Sequence, residues 1–440
     1  MIVDKYKFVL YWFLATFWVA CCNGFVVDEF LPMLKPHKGS ITLLCEMSMF
    51  ALGTLTVRRR GDVFFYAGFL LLAFFCTCVA NTNSISRFLI GLRDFSGLLC
   101  VVPAIHWLAS HKPASGPGFW ELFRRQLWIW LVLQAVCVTW QWLRYGACDE
   151  VGGSAGSGFS GQVSMCIYIV SFFLMMPTWD STRLWQSFKA NRRYFLLLYP
   201  TFLNETKISF VYLAIFLFLL MHFDRKFVVR LVVSLPLIAG VFVGLGYIYE
   251  SVTHLSITRM FTGQFYMDYL MGENLERQID AAQDILDGTA DDFIMEFYNG
   301  DVDIPRIAKI LLIWPNLADT GGGIELGAGI SQFQGWSSNN MTSFARYNEW
   351  VLYGSKPWAF WMMVQMGVIG LIFSCVILLR NLLARARGDG GIARINWFMV
   401  AIFAIILVYN SCWHDMWVCV IMFFIGQYNQ YTSARRNAAS

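Results

Sequence analysis

Three basic side chains stand where a membrane protein could bind an anion, and Lys207 is the first of them. It lies in the segment LNETKISF, at the head of an apolar run over 206–223. An ionisable side chain at the edge of the hydrocarbon is costly, and it usually faces a cavity or a partner. The segment therefore fits anion binding by Lys207, an ion pair with Glu205, or a lysine that extends to the membrane surface.

Arg306 is the second candidate. The sequence predicts a helix that is capped by Asp303, carries Pro305 in its first turn and ends before Pro315. Free N–H groups at a helix N-terminus attract anions, and an arginine in the first turn strengthens that attraction. The alternative is a surface ion pair with a nearby aspartate, which would contribute little to stability.

The third candidate is Lys356, which stands with Arg346 beside the point where the chain re-enters an apolar run. Basic residues are common at membrane interfaces, so neither residue identifies a site by itself. Arg93 and Asp94 are charged residues within the apolar run 88–109. Inside a membrane bundle such neighbours are expected to form a structural ion pair.

His414 and Asp415 lie in a short turn between the last two apolar runs, and the sequence predicts that this turn is solvated. The loop over 146–161, GACDEVGGSAGSGFSG, is rich in glycine and serine, and we expect it to be mobile. Cys148 and Cys412 are the two cysteines nearest the aqueous edges, so a disulfide between them is open but not required.

All these residues are arranged around a polar block from Ser251 to about Tyr347. Residues 250–348 contain fourteen carboxylates and only five Lys or Arg side chains. The flanking runs, 227–249 and 358–379, are each long enough to cross the ~30 Å of hydrocarbon in a bilayer. Within the block, the pattern predicts two more helices, over 273–287 and 290–298. The glycine-rich run GGGIELGAG (321–329) needs backbone freedom that glycine provides at low cost.

The composition places the chain among polytopic membrane proteins. Hydrophobic residues make up 57% of it and charged residues 14%, with a mean hydropathy of +0.53. Twelve apolar runs can be delineated, of which the seventh, over 194–203, is too short to span alone. Alternating crossings place 21 of the 33 Lys and Arg residues on one side, which the positive-inside rule makes cytoplasmic. The first run is interpreted as a retained helix, both termini as cytoplasmic and the acidic block as extracytoplasmic.

The predicted fold class is an all-α polytopic integral membrane protein with about 12 transmembrane helices and one large extracytoplasmic helical loop. Its organisation is a membrane bundle of about nine helices over 1–250, a periplasmic loop with short helices over 251–348, and about three membrane helices over 349–440.

Several short motifs together resemble the bacterial O-antigen polymerase and O-antigen ligase superfamily. Its members commonly carry Ser-Arg at the outer start of a mid-chain helix. The segment NETK resembles this motif, with lysine in place of arginine. Arg306 precedes the glycine runs 321–323 and 327–329, and VQMGVIGLIF (364–373) supplies the Gly-x-x-Gly of the following helix. GSGFSGQVSMCIYIVSFF (156–173) resembles the family's Gly-Thr-Phe segment. Lys356-Pro357 stands where His-Asn is usual, which counts against a ligase.

The resemblance implies a metal-independent, GT-C-like membrane glycosyltransferase of the bacterial inner membrane that needs no cofactor. It would polymerise undecaprenyl-diphosphate-linked oligosaccharide repeat units into O-antigen, capsule or exopolysaccharide, with inversion at the anomeric carbon. Fixed Lys and Arg side chains could stabilise the departing diphosphate, and a carboxylate could accept the proton of the acceptor hydroxyl. The expected catalytic residues are Arg306, Lys207 and Lys356. The additional diphosphate-binding candidates are Arg346, Arg259, Arg277 and Arg93, and the candidate bases are Glu349 and Asp268.

The expected partners are the lipid-linked oligosaccharide, the growing polysaccharide, and a chain-length regulator and flippase, without nucleic acid. A ligase that transfers glycan to a lipid or protein is the alternative. A polytopic transporter or flippase is a more remote one, because the sequence has no repeat halves and few charges deep in the bundle. A structural membrane scaffold would leave the basic residues at loop–helix junctions without explanation.

Overall fold

The computed structural model describes residues 4–111, 118–146, 148, 151–204, 208–221, single positions between 233 and 247, 304, 306–333, 341–352, 354–383 and 390–437. Within these ranges every regular element is a helix. Eight of the helices found there are long and apolar enough to cross a membrane. The prediction of a multi-pass helical membrane protein is therefore confirmed. The helices predicted over 273–287 and 290–298 lie outside the described residues.

The helices of the first half are α1 (Lys5–Phe25), α2 (Lys38–Thr56), α3 (Arg60–Phe74), α4 (Ile85–Leu92), α5 (Ser96–Ser110), α6 (Phe119–Tyr145) and α7 (Ser160–Met175). Single π-helical turns, Val26–Phe30 and Phe75–Ala80, extend α1 and α3. Next come α8 (Leu184–Leu196), α9 (Pro200–Leu203) and α10 (Ile208–Leu220). The later helices are α11 (Arg306–Ala318), α12 (Gly323–Leu326), α13 (Ser343–Tyr347), α14 (Glu349–Leu352), α15 (Trp358–Leu382), α16 (Gly390–Tyr409) and α17 (Met416–Asn437).

The core of the bundle is formed by α5, α7 and the first half of α17, which are buried on nearly every face. The outer helices α1, α2 and α3 bury one face each, so their remaining apolar side chains face outward. A helix that is apolar all round and buried in this way is typical of the centre of a membrane bundle. The arrangement leaves the helix ends as the places where polar groups can gather.

Residues 151–156 are buried, so the prediction of a mobile loop over 146–161 is wrong for this part of it. Two glutamines of α6 hold it. Gly153 donates its N–H to Gln141 Oε1 at 2.8 Å, and Ser154 donates its N–H to Gln134 Oε1 at 3.0 Å. A buried backbone needs such partners, and the glutamine side chains provide them within the protein interior. Local composition could not reveal partners that lie more than ten residues away.

The glycine-rich segment after α11 docks against α15 at a break in that helix. Gly367 has φ 63°, and Gly327, which faces it, has φ +66°. The N–H of Ala328 donates to the Val364 carbonyl at 2.8 Å. A carbonyl that loses its helical partner at membrane depth needs another donor, and the docked segment supplies it. The predicted need for glycine freedom over 321–329 is confirmed.

The opposite side of this segment is held by the polar end of α3. Asn81 Nδ2 donates to the Gly327 carbonyl at 2.8 Å, and Thr77 Oγ1 accepts the N–H of Ile330 at 3.0 Å. On α15, Gln365 Oε1 accepts the N–H of Ser331 at 3.0 Å. The irregular backbone is therefore hydrogen-bonded inside the protein, which is the condition for its presence at this depth.

Replacing either facing glycine by alanine is expected to lower stability by at least ~2 kcal/mol, since the left-handed φ alone costs 1–2 kcal/mol. A Cβ on Gly367 would also lie 2.2 Å from the carbonyl carbon of Glu325, and one on Gly327 2.6 Å from the backbone nitrogen of Gly367. Thermal unfolding of the purified protein in detergent measures the effect. Gly68→Ala is the matched control, because its Cβ would meet nothing closer than Phe373 at 3.6 Å. Equal melting temperatures for Gly367→Ala and Gly68→Ala would contradict the expectation.

Helix α11 continues through Pro315 to Ala318, so the predicted end before that proline is wrong. A proline inside a helix costs about 3 kcal/mol. The turn after it is nevertheless fixed by packing, because Leu317 is fully buried and Asn316 Nδ2 donates to Asn348 Oδ1 at 2.5 Å. Tertiary contacts therefore outweigh the local signal.

Candidate functional site

A cavity of about 350 Å³ opens among the helix ends near Lys356, and we call it the lysine cavity. The end of α1, the first half of α2, the break before α5 and the starts of α15 and α17 surround it. Its charged lining residues and its histidine are Lys38, Glu46, Arg93, Asp94, Lys356, His414 and Asp415. Aromatic side chains complete the wall: Phe159, Phe333, Trp361 and Trp417.

Arg93 and Asp94 reach the cavity because the helix is broken between α4 and α5. A single 3₁₀ turn, Arg93–Phe95, separates the two helices. Arg93 Nε lies 2.9 Å from Glu46 Oε2 and 3.8 Å from Asp94 Oδ1. The predicted ion pair inside the bundle is confirmed, but its shorter contact is with Glu46 on α2. A buried pair of this kind fixes the relative position of the two helices more reliably than it adds stability.

Lys356 lies just before α15 and is partly buried. Its Nζ donates to the Gly354 carbonyl at 2.8 Å and lies 5.2 Å from the centre of the Phe333 ring. Burial lowers the pKa of Lys356 to about 8. An ammonium has three N–H groups, and the carbonyl uses one of them. The side chain is thus a cation with donors to spare and a charge that is lost easily.

His414 and Asp415 face the same cavity and are partly buried, so the turn is less solvated than predicted. The imidazole stacks on Trp361, with ring centres 5.9 Å apart, and its Nε2 lies 3.6 Å from Asp415 Oδ1. Burial lowers the pKa of His414 and raises that of Asp415 to about 8. Cys412, in the same turn, is a free thiol, as is Cys148.

One buried atom of this pair points to a ligand. Asp415 Oδ2 is buried and has no hydrogen-bond partner within the part of the chain that the structure describes, whereas His414 also interacts with the Ser411 backbone. Buried polar atoms in proteins are nearly always hydrogen-bonded, so such exceptions mark places where water or a ligand binds. The lysine cavity therefore presents a buried polar atom that water or a polar molecule could satisfy.

Arg306 lies close to this region but does not line the lysine cavity. Its guanidinium carbon is 4.3 Å from the centre of the Tyr409 ring, at the end of α16. Ser411, two residues further along the chain, does line the cavity. Arg306 begins α11, as expected of a residue in its first turn. The structure thus places it beside the turn that carries His414.

The remaining predicted residues are not brought together by the described structure. Arg346 is exposed on α13, and Glu349 is partly buried on α14. Neither lines the lysine cavity. Lys207, Arg259, Asp268 and Arg277 lie outside the described residues. Of the predicted set, Lys356 and Arg93 are the two that share one cavity.

The sequence analysis did not identify Glu46 as a site residue, and it assigned His414 and Asp415 to a solvated turn. Glu46 is a lone carboxylate inside the apolar run 40–57, and an ionisable residue in such a run is a signal in itself. His414 and Asp415 gave a weaker signal, because a short polar turn between two spans is ordinary. Their proximity to Lys356 depends on the packing of α15 against α17, which no local pattern encodes.

No protein-family model matches the chain, and no curated protein or solved structure is significantly similar to it. The fold and the cavity by themselves define a multi-pass helical membrane protein with a polar, aromatic-walled cavity at one end of its bundle.

Proposed function

We propose that the protein is a membrane glycan polymerase that joins oligosaccharide repeat units carried on a polyprenyl diphosphate, with the lysine cavity as its reaction site. The observation that carries the proposal is the combination found in that cavity: cations, proton-accepting groups and aromatic walls. In this proposal the protein has about twelve crossings and a GT-C-like fold in the bacterial inner membrane. Both termini are cytoplasmic, and the lysine cavity and the large loop face outward.

The reaction needs a positive environment for the leaving group. The acceptor hydroxyl oxygen forms a bond to the anomeric carbon, the bond from that carbon to the diphosphate oxygen breaks, and the electron pair leaves with the diphosphate. Fixed cations in a water-poor site stabilise that developing charge. Lys356 supplies one such cation, Arg93 a second that Glu46 holds in place, and Lys207 and Arg306 complete the proposed set.

The proton of the acceptor hydroxyl needs a base within hydrogen-bonding reach. His414 meets that need better than Glu349, because it lines the cavity and burial lowers the pKa of its imidazole, whereas Glu349 does not line the cavity. The aromatic wall suits the apolar faces of sugar rings, as ligand sites are usually lined by aromatic side chains with a few placed polar groups. Phe333 and Trp361 stack nearly parallel, with centres 6.0 Å apart.

The contact between Gly327 and Gly367 also supports the proposal. The resemblance to O-antigen polymerases and ligases depends on two glycine motifs that are about forty residues apart in the chain. In the structure these motifs dock on each other, next to the start of the helix that follows Lys356. Because the two glycine motifs contact each other, one structural requirement explains why both occur in this order. This supports the resemblance that was inferred from them.

A ligase that transfers glycan to a lipid or protein is the second candidate, because of His414. Lys356-Pro357 stands where the family usually has His-Asn, and this absence counted against a ligase. His414 lies in the same cavity as Lys356, so a histidine is present near the position where the family usually has one. The missing His-Asn therefore argues less strongly against a ligase.

A gene deletion that is analysed for lipid-linked intermediates tests the proposal. Loss of a polymerase leaves single repeat units on the lipid carrier, while loss of a ligase leaves full-length polymer on the carrier. Loss of a flippase leaves the units on the cytoplasmic side. Normal polymer with normal transfer in the deletion strain would contradict both glycan proposals.

The proposed orientation is testable with topology reporters. A reporter fused near residue 290 is expected to be extracytoplasmic, and one near residue 387 cytoplasmic, because the basic turns are retained inside. A cytoplasmic signal at residue 290 would contradict the proposal, since lipid-linked polymerisation takes place at the outer face.

A further inference from the structure

A second cavity, of about 310 Å³, lies at the opposite end of the bundle, between the start of α3, the ends of α5 and α15, and α17. Arg59 and Arg380 line it together with His106, and we call it the arginine cavity. Its inner wall is apolar and includes Phe65, Leu99 and Val102. None of its lining residues lines the lysine cavity.

A chain of hydrogen bonds orients the ring of His106. Asn381 Nδ2 donates to the Ile377 carbonyl at 2.8 Å, which leaves its Oδ1 as the acceptor for Gln427 Nε2, also at 2.8 Å. Gln427 therefore presents Oε1 to His106 Nε2, at 2.8 Å. An amide oxygen only accepts, so His106 Nε2 carries a proton.

The other ring nitrogen also faces an acceptor. His106 Nδ1 lies 2.8 Å from Asp62 Oδ2. The Asp62 carboxylate and the His106 ring are therefore engaged with each other.

The two arginines then leave the cavity with excess positive charge. Arg380 lies over the Phe65 ring, with its guanidinium carbon 4.6 Å from the ring centre. Within the described ranges, neither Arg59 nor Arg380 lies within ion-pair distance of a carboxylate. Asp62 is the carboxylate of this cavity, and His106 already engages it. Two guanidinium groups therefore face the cavity with no compensating carboxylate among the described residues.

We propose that the arginine cavity binds the phosphate of an anionic amphiphile. Guanidinium groups match the geometry of phosphate oxygens and are preferred at phosphate sites. The apolar wall behind them suits the chain of a lipid, and the cavity opens at the end of the bundle where basic residues gather. Anionic lipid headgroups are attracted to basic clusters at that surface. The same chemistry would also admit a free phosphate ion.

Binding can be measured by ligand-induced stabilisation, because a ligand that binds the folded protein raises its melting temperature. The full-length protein in a neutral detergent is titrated with short-chain phosphatidic acid, with the matching phosphatidylcholine and with inorganic phosphate. We expect phosphatidic acid to raise the melting temperature at a concentration at which phosphatidylcholine does not. A response to inorganic phosphate with the same midpoint would assign the site to soluble phosphate, whereas a response to the lipid alone would assign it to headgroups.

Variants decide whether the arginines carry the binding. Arg59→Gln and Arg380→Gln are each expected to raise the apparent dissociation constant by about tenfold, and Arg380→Lys by less. Arg59 is exposed, so its replacement leaves the packing intact even if Arg380→Gln weakens the contact with Phe65. Arg60→Gln is the matched control, because Arg60 is exposed at the same helix end and lines neither cavity. Equal responses to phosphatidylcholine and phosphatidic acid, or an equal loss in Arg60→Gln, would overturn the proposal.

Discussion

Lys356→Ala is expected to abolish polymer formation while the protein remains inserted and abundant. The change removes one of the cations that line the lysine cavity, and the stabilisation of a departing diphosphate depends on such fixed charge. Polymer in cells that express each variant in a deletion background is the measurement. Lys35→Ala is the matched control, since Lys35 is exposed at the same end of the bundle and does not line the cavity. Normal polymer in Lys356→Ala cells would exclude the residue from the reaction.

The pH dependence gives a second view of Lys356. Because burial lowers its pKa to about 8, the charged form is lost as the pH rises through that value. A reaction that needs the ammonium should therefore slow above pH 8 when the purified protein is assayed on lipid-linked repeat units. Lys356→Arg is expected to retain part of the activity and to keep it above pH 8, because a guanidinium stays charged. The same alkaline decline in the arginine variant would show that another group causes it.

The sequence predicted the elements better than the contacts between them. Apolar runs reveal spans because about 20 apolar residues are what a bilayer requires. The glycines of 321–329 were also readable, because a left-handed backbone favours that residue type. In both cases the cause of the structure lies within the segment itself.

The contacts that build the two ends of the bundle have causes elsewhere in the chain. Gln134 and Gln141 order the segment 151–156, although each is an ordinary polar residue on a long helix. Arg93 meets Glu46 because the helix breaks at residues 93–95 and turns the side chain toward α2. A buried polar group must find a partner, but the sequence does not state which partner is near. Site residues therefore need the packing before they can be assigned.

Arg306→Ala is also expected to abolish polymer formation. In the proposed reaction its guanidinium stabilises the diphosphate, and Arg306→Lys should recover only part of the activity, because lysine keeps the charge but loses the two-pronged donor geometry. The rival explanation is structural: Arg306 lies over Tyr409 and anchors α11 to the end of α16. A cation–π contact at such a site is worth about 0.5–2 kcal/mol, and Arg306 makes further contacts besides the one with this ring.

Changes at Tyr409 separate the two explanations. Tyr409→Phe keeps the ring under Arg306, so this variant should retain activity whether Arg306 acts in the reaction or as an anchor. Tyr409→Leu removes the ring, so it should cost as much as Arg306→Ala if the arginine acts only through its contact with this ring. If Arg306 acts on the leaving group, Tyr409→Leu should keep most of the activity and lower mainly the melting temperature. Abundance, melting temperature and polymer yield measured on the same four variants therefore decide whether Arg306 belongs to the reaction or to the scaffold that holds the turn of His414.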